Sequence, residues 1–223
     1  MIIHFVLSGR QQAFHNKRMG TNTLFPVFLQ LEQLQLLIVG GGFIGMEKLG
    51  AVLSNSPATS IQLVAIHISD EIKELAKQYA GISLIEKAYE PSDLENVDVA
   101  IVAVNDIPLA EKIRRDAREK RILINVADKP SLCDFYLGSV VQKGNLKVAI
   151  STNGKSPTVA KRLKEVLNEM LPEEMESLLN NMQAIRNSLK GDFTDKVRQL
   201  NQLTEVLVSG PAGEQTNISD KQK

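Results

Sequence analysis

The stretch LQLLIVGGGFIG, Leu34 to Gly45, decides the fold. Leu34 to Val39 is a short apolar run ending in three glycines, and it reads as a buried parallel strand. Phe43 to Leu53 then carries apolar residues at helical spacing. Between strand and helix, Gly40 to Gly45 fits the pattern G-x-G-x-x-G. The pattern gains meaning from this strand–turn–helix context, which phosphate binding requires. Gly40 permits the tight turn, Gly42 lets a pyrophosphate approach the backbone, and Gly45 allows the helix to pack closely on the strand. The helix start then offers unpaired N–H groups and a positive dipole end. A glycine-rich loop that holds no ligand is the alternative.

Outward from this stretch, strands and helices alternate. Ile61 to Ile68, Ile82 to Ile85, Val97 to Val104 and Ile122 to Val126 read as further strands, all largely apolar. Asp70 to Tyr79 and Ile107 to Lys120 have helical character, with Asp70 a candidate N-cap of the first. The pattern predicts an α/β fold with a Rossmann-type parallel sheet covered on both faces. The second half differs. Tyr136 to Val141 and Leu146 to Ser151 flank Lys143-Gly144, which reads as a hairpin turn. A helix starts at Ser156-Pro157 and stops at Pro172, and two more helical patterns follow, Glu173 to Leu189 and Phe193 to Val208. The expected whole is a parallel-sheet domain, a small mixed α/β segment and a helical C-terminal region.

Composition bounds the chemistry. The 223 residues suffice for one to two domains with a real core. The 26 basic and 26 acidic residues cancel, which argues against binding nucleic acid through bulk positive charge. One cysteine, Cys133, excludes an internal disulfide, and the three histidines, His4, His15 and His67, are too few for a Cys/His zinc cluster. No resident metal site is expected, and a reducing, cytoplasmic setting fits. The apolar run Ile2 to Leu7 is too short for a signal peptide or a membrane span. Residues 1–20 read as a poorly ordered leader, with Met19 a candidate true start, and Ser209 to Lys223 as a frayed tail.

Four further places carry candidate chemistry. Where a carboxylate usually holds the ribose of NAD, the chain reads Ile66-His67-Ile68-Ser69-Asp70. No acid ends the strand. His67 or backbone groups could hold the ribose instead, or His67 is a plain structural residue; no arginine makes a case for NADP. Asn105 follows the fourth strand at its carboxyl end, either touching a cofactor or simply forming a turn before Asp106 caps the next helix. Asp128 follows the fifth strand at the same edge, either as a base for a proton released on hydride transfer or as the start of a turn before Pro130. Finally, Ser151 to Pro157 combines hydroxyls, Asn153 and a glycine at a helix start. Lys155, Lys161, Arg162 and Lys164 follow with no acid among them, and five acids stand between Glu165 and Glu176. Such a start, with Ser156 at its cap, suits a carboxylate or phosphate, or is an ordinary cap with a solvated face.

Taken together, Leu24 to Leu29, Leu37 to Gly42, Asn125 to Asp128, Leu132 to Phe135 and Ile150 to Pro157 resemble the precorrin-2 dehydrogenase family, the N-terminal module of siroheme synthases. The resemblance runs from Leu24 to Leu171. It implies NAD-dependent oxidation of precorrin-2 to sirohydrochlorin, followed in some members by insertion of ferrous iron to give siroheme. It implies a homodimer, a tetrapyrrole substrate, and no nucleic acid or membrane as partner. The family's key aspartate matches Asp128, which the resemblance thereby raises to the catalytic candidate. Its cofactor positions match Phe43, Ile44, Ile66 and His67, and a hydroxyl position near its tetrapyrrole site matches Thr152. The chain departs from the family at Ile44-Gly45, Glu47-Lys48 and Asn105. The implied organisation is a leader over 1–20, an NAD-binding domain over 21–133, a dimerisation segment over 134–165, a helical domain over 166–208 and a tail over 209–223. The methyltransferase module of fused siroheme synthases is not expected in this length. Two other readings compete: a non-catalytic NAD-binding regulatory module, and a chelatase alone.

Overall fold

The computed structural model describes residues 22–189 and 193–204. The expected leader and tail, with His4, His15 and Met19, lie outside those residues. The described chain divides into two compact units. One comprises residues up to Gly138 together with Ser151–Pro157; the other comprises Ser139–Ile150 and the residues from Thr158 onward.

The first unit is a five-stranded parallel sheet. Its strands are β1 (Gln35–Gly41), β2 (Ser60–Ile68), β3 (Ile82–Glu86), β4 (Val99–Val102) and β5 (Leu123–Val126), in the order β3-β2-β1-β4-β5. Helix α1 (Phe43–Asn55) follows β1, α2 (Asp70–Ala76) follows β2, and α3 (Ile107–Glu119) follows β4. Alternation along β1 divides the core. Leu36 and Ile38 pack with Leu49 and Leu53 of α1 and Ile72 of α2. Leu37 and Val39 pack with Ala110, Ile113 and Ala117 of α3. All are buried, which is why these strands read as continuous apolar runs. The expected parallel sheet is therefore present, with strand ends that differ from the sequence reading by at most two residues.

Two caps show how local chemistry ends the strands. Asp106 caps α3, its Oδ1 accepting from Leu109 N at 3.0 Å. At α2 the expected cap, Asp70, is instead the first helical residue, and Ser69 is the cap. Ser69 has extended backbone (φ −63°, ψ 152°) and its Oγ faces Ile72 N at 3.5 Å. A cap must lie outside helical geometry, and Ser69 does.

In the second unit, β6 (Ser139–Lys143) and β7 (Leu146–Ile150) form an antiparallel hairpin, followed by α4 (Pro157–Met170), α5 (Met175–Ser188) and α6 (Phe193–Thr204). The hairpin turn is Gly144-Asn145, one residue later than the sequence suggested; Lys143 is a buried strand residue paired with Leu146. Gly144 takes φ 56°, and the Glu176 carboxylate accepts from Asn145 N at 2.6 Å and Asn145 Nδ2 at 2.7 Å. The Lys143 ammonium pairs with Glu173. Tyr136 to Gly138, expected in the first strand of the hairpin, precede it. Among the described residues, no helix is long and apolar enough to cross a membrane.

Candidate functional site

In a parallel sheet every strand delivers its following turn to one edge. Ligands gather at that edge where the chain reverses its direction of travel across the sheet. Here the reversal lies between β1 and β4: the chain moves from β1 to β2 and β3, then returns to β4 on the other side of β1. The glycine turn sits at this switch point. Gly40 has φ 124°, and a Cβ there would overlap the carbonyl oxygen of Ala103. A Cβ on Gly45 would overlap the Gly40 carbonyl oxygen, so the start of α1 packs against the turn as the glycine spacing predicts. Gly42 differs: open space surrounds the place of its missing Cβ.

Gly42 is also the N-cap of α1 and supplies no side-chain hydrogen bond. The first turn of this thirteen-residue helix therefore has no side-chain cap from its N-cap residue, and the space beside Gly42 is open. This arrangement fits a dinucleotide pyrophosphate. The turn is crowded by backbone where it must be tight and open where a ligand must approach.

The other predicted residues fall around it. Phe43 is 83% exposed and Ile66 is 79% exposed, large apolar groups near the glycine turn that a ligand could cover. His67 is exposed near the end of β2. Gly41 is the register partner of Ile68, so Ile66 and His67 lie beside the glycine turn. Ile44 is half-buried in the first turn of α1. Asn105 is exposed after β4, the strand paired with β1.

Asp128 is exposed in the turn after β5, two strand spacings or roughly 10 Å across the sheet from β1. Lys129 N closes this turn on Val126 O at 3.2 Å, and Asp128 takes a left-handed φ of 58°. Aspartate visits that region more readily than most residues. Asp128 is thus a turn residue, exposed in the turn that leaves β5 at the ligand edge of the sheet.

Side chains from the following segment brace the turn, and sequence reasoning did not assign them this role. Cys133 Sγ accepts from Val126 N at 3.2 Å and lies 3.2 Å from Val126 O and 3.3 Å from Lys129 O. Burial pushes the Cys133 thiol up, so it keeps the proton it donates to these carbonyls. The Asp134 carboxylate accepts from Ile124 N at 3.1 Å and receives two bonds from Arg114 of α3, one of them at 2.7 Å from Nη2. The guanidinium holds the Asp134 carboxyl below the usual carboxylate range. Asn125, buried, donates through Nδ2 to Phe135 O at 2.8 Å.

The Ser151–Pro157 turn belongs to the same compact unit as Asp128. Thr152 Oγ1 accepts from Ser156 N at 3.2 Å and lies 3.1 Å from Ser156 O, so this hydroxyl holds the turn closed. Asn153 and Gly154 are both left-handed (φ 54° and 73°), and Lys155 is exposed. Lys161 and Arg162 lie exposed on α4 in the other unit, and Arg162 pairs with Glu165 at 2.8 Å. Among the described residues, no group of three or more His, Cys, Asp or Glu side chains could hold a metal ion.

A family model described as "Putative NAD(P)-binding" matches residues 27–139, half of the chain. The chain belongs to this NAD(P)-binding family. A second model, described as sirohaem biosynthesis protein central, matches residues 143–170. Among relatives of this NAD(P)-binding chain, a siroheme synthase of Pseudomonas fluorescens (strain SBW25) is 30% identical over 197 residues, covering 88% of this chain and 40% of that protein. One of Methylococcus capsulatus (strain ATCC 33009 / NCIMB 11132 / Bath) is 32% identical over 196 residues, covering 85% and 39%. The chain thus spans about two fifths of the length of these relatives. Among solved structures, SirC, precorrin-2 dehydrogenase, aligns with a TM-score of 0.64 at 27% identity, over 81% of this chain and 89% of that one.

Proposed function

We propose that this NAD(P)-binding chain is an NAD-dependent dehydrogenase that oxidises precorrin-2 to sirohydrochlorin in siroheme biosynthesis, acting in the cytoplasm as a homodimer. The observation that carries the reading is the position of Asp128. Its carboxylate is exposed at the same sheet edge as the glycine turn and is held in a braced, left-handed turn. The likeness to SirC, precorrin-2 dehydrogenase, and to siroheme synthases supports it.

The residues that would hold NAD are Gly40, Gly42 and Gly45 with the first amides of α1, flanked by Phe43, Ile44, Ile66, His67 and Asn105. When bound, NAD supplies a hydride acceptor. The second hydrogen of the substrate leaves as a proton, and Asp128 takes it as general base. Precorrin-2 is a polycarboxylate. Lys155, in the same unit as Asp128, is a proposed receptor for it, with Thr152, Asn153 and Ser156 shaping the turn that presents Lys155; Lys161 and Arg162 are proposed from the sequence pattern alone. Ferrous iron is proposed as a later substrate, its insertion into sirohydrochlorin assisted by Asp128 as acceptor of tetrapyrrole protons. An exposed apolar row on α4, Leu163, Val166 and Met170, supports pairing with a second copy.

Mixing the purified protein with precorrin-2 and NAD and following NADH absorbance tests the reading. NADH formation from wild type is the expected result. NAD binding without turnover would leave a regulatory module. Metal insertion into supplied sirohydrochlorin, with no NADH formed from precorrin-2, would leave a chelatase alone.

A further inference from the structure

Strand β2 ends in Ile66, His67 and Ile68, with no carboxylate of its own to meet an adenosine ribose. The neighbouring strand supplies one. Glu86 is the last residue of β3 and the register partner of Ala65. Its side chain bends along the sheet edge, and Oε1 accepts from the backbone N–H of Ile68 at 3.1 Å. Ile68 is the register partner of Gly41, and Ser69 N donates to Gly41 O at 2.9 Å. A carboxylate from the third strand is therefore hydrogen-bonded to the residue that lies against the glycine turn.

Lys73 of α2 fixes it there, its Nζ 3.0 Å from the same Oε1. Both contacts fall on Oε1, and Oε2 is directed to no partner among those described. The Lys73 ammonium and the Ile68 N–H hold the Glu86 carboxyl below the usual range, and His67 adds to the effect. Glu86 is exposed, so a ligand can reach it.

We propose that Glu86 is the carboxylate that recognises the adenosine ribose, reaching the end of β2 from β3 and selecting NAD(H) over NADP(H). The inference rests on the NAD-dependent reading above. A ribose 2′-hydroxyl donates to a carboxylate, whereas a 2′-phosphate is repelled by it. Glu86 also occupies Lys73, the cation that would otherwise attract a 2′-phosphate. Removing the charge of Glu86 therefore acts twice: it weakens NADH binding and frees a cation for NADPH.

The test is equilibrium binding, read by the fluorescence of NADH, NADPH and a 2′-deoxyadenosine analogue of NADH, in the full chain. Wild type binds NADH more tightly than either of the others. Glu86→Gln, which keeps an acceptor for Ile68 N–H, raises the Kd for NADH by ~10-fold and lowers that for NADPH, so the preference collapses. In that variant the 2′-deoxy analogue and NADH bind alike, a change that a purely structural role for Glu86 would not produce. Lys73→Met, which leaves the Ile68 N–H to Glu86 bond, retains NADH binding within ~3-fold. An NADH-to-NADPH preference unchanged in Glu86→Gln, or a wild type indifferent to the 2′-hydroxyl, overturns the role of Glu86 alone. A wild type that binds neither dinucleotide overturns the NAD-dependent reading and this inference with it.

Discussion

The turn after β1 and the turn after β5 leave the same edge of the sheet, but backbone shapes the first and side chains brace the second. At Gly40 and Gly45 a single added Cβ would overlap a carbonyl oxygen, so the chain there tolerates only glycine. At Asp128 the left-handed backbone is carried by an ordinary residue, with Cys133 and the Arg114–Asp134 pair returning to β5 around it. A cofactor turn must let a ligand reach the backbone, so it discards side chains. A turn that presents a reactive carboxylate must keep one and fix its direction, so it recruits others to hold the chain.

The largest effect is expected where backbone meets backbone. Gly40→Val would drive its side chain toward the Ala103 carbonyl at φ 124°, costing more than ~4 kcal/mol. Chemical denaturation reads it, and a stable variant with intact NADH affinity would break the distinction between the two turns. Asp128→Asn comes next, and it separates geometry from chemistry. Asparagine accepts the left-handed φ, so the melting temperature stays within a degree or two of wild type while dehydrogenation falls by ~10²–10⁴-fold. Full activity in this variant would remove Asp128 as the base.

Smaller effects probe the braces. Asp134→Ala removes both bonds from Arg114 and the acceptor of Ile124 N–H, and about 1–2 kcal/mol of stability should go, the pair being partly open to solvent. The sign of its pH dependence follows. Asp134 is held below the usual carboxylate range when folded, so its contribution is complete above about pH 4 and is lost as pH falls through the lower folded value. Urea denaturation of wild type and Asp134→Ala across that range should show the two converging on acidification; a constant gap would mean the ion pair contributes nothing. Smallest is Cys133→Val, which takes the partner from Val126 N–H and Lys129 O and should cost about 1 kcal/mol. A matching drop in kcat would show that the brace also aims Asp128, whereas unchanged kcat would confine Cys133 to stability.

Of the two turns, the first was readable along the chain. Its glycines, the strand before and the helix after all lie between Leu34 and Asn55. Asp128 was readable as a candidate from its place after an apolar strand, though its left-handed backbone was not. Its braces were hidden for a plain reason. Cys133 and Asp134 look like parts of a connecting segment, and only the return of that segment onto β5 aligns Sγ with Val126 and the carboxylate with Ile124. The misplacement of the α2 cap by one residue, and of the hairpin turn by one, has a similar origin. Ser69 and Asp70 both cap helices well, and Lys143-Gly144 and Gly144-Asn145 both suit a turn, so local composition alone does not choose between them.

What this chain determined by sequence alone is its periodicity: apolar strands, glycines where backbone must close, and an aspartate cap at Asp106, all relations between residues a few positions apart. Tertiary structure decided which strands are neighbours. That choice puts Glu86 of β3 on the Ile68 backbone beside the glycine turn, although the two residues are far apart along the chain. Hydrogen bonds between parallel strands follow the order β3-β2-β1-β4-β5, and no run of residues within a single strand encodes that lateral order. It is set by which apolar faces α1, α2 and α3 cover, a property of the packed core as a whole.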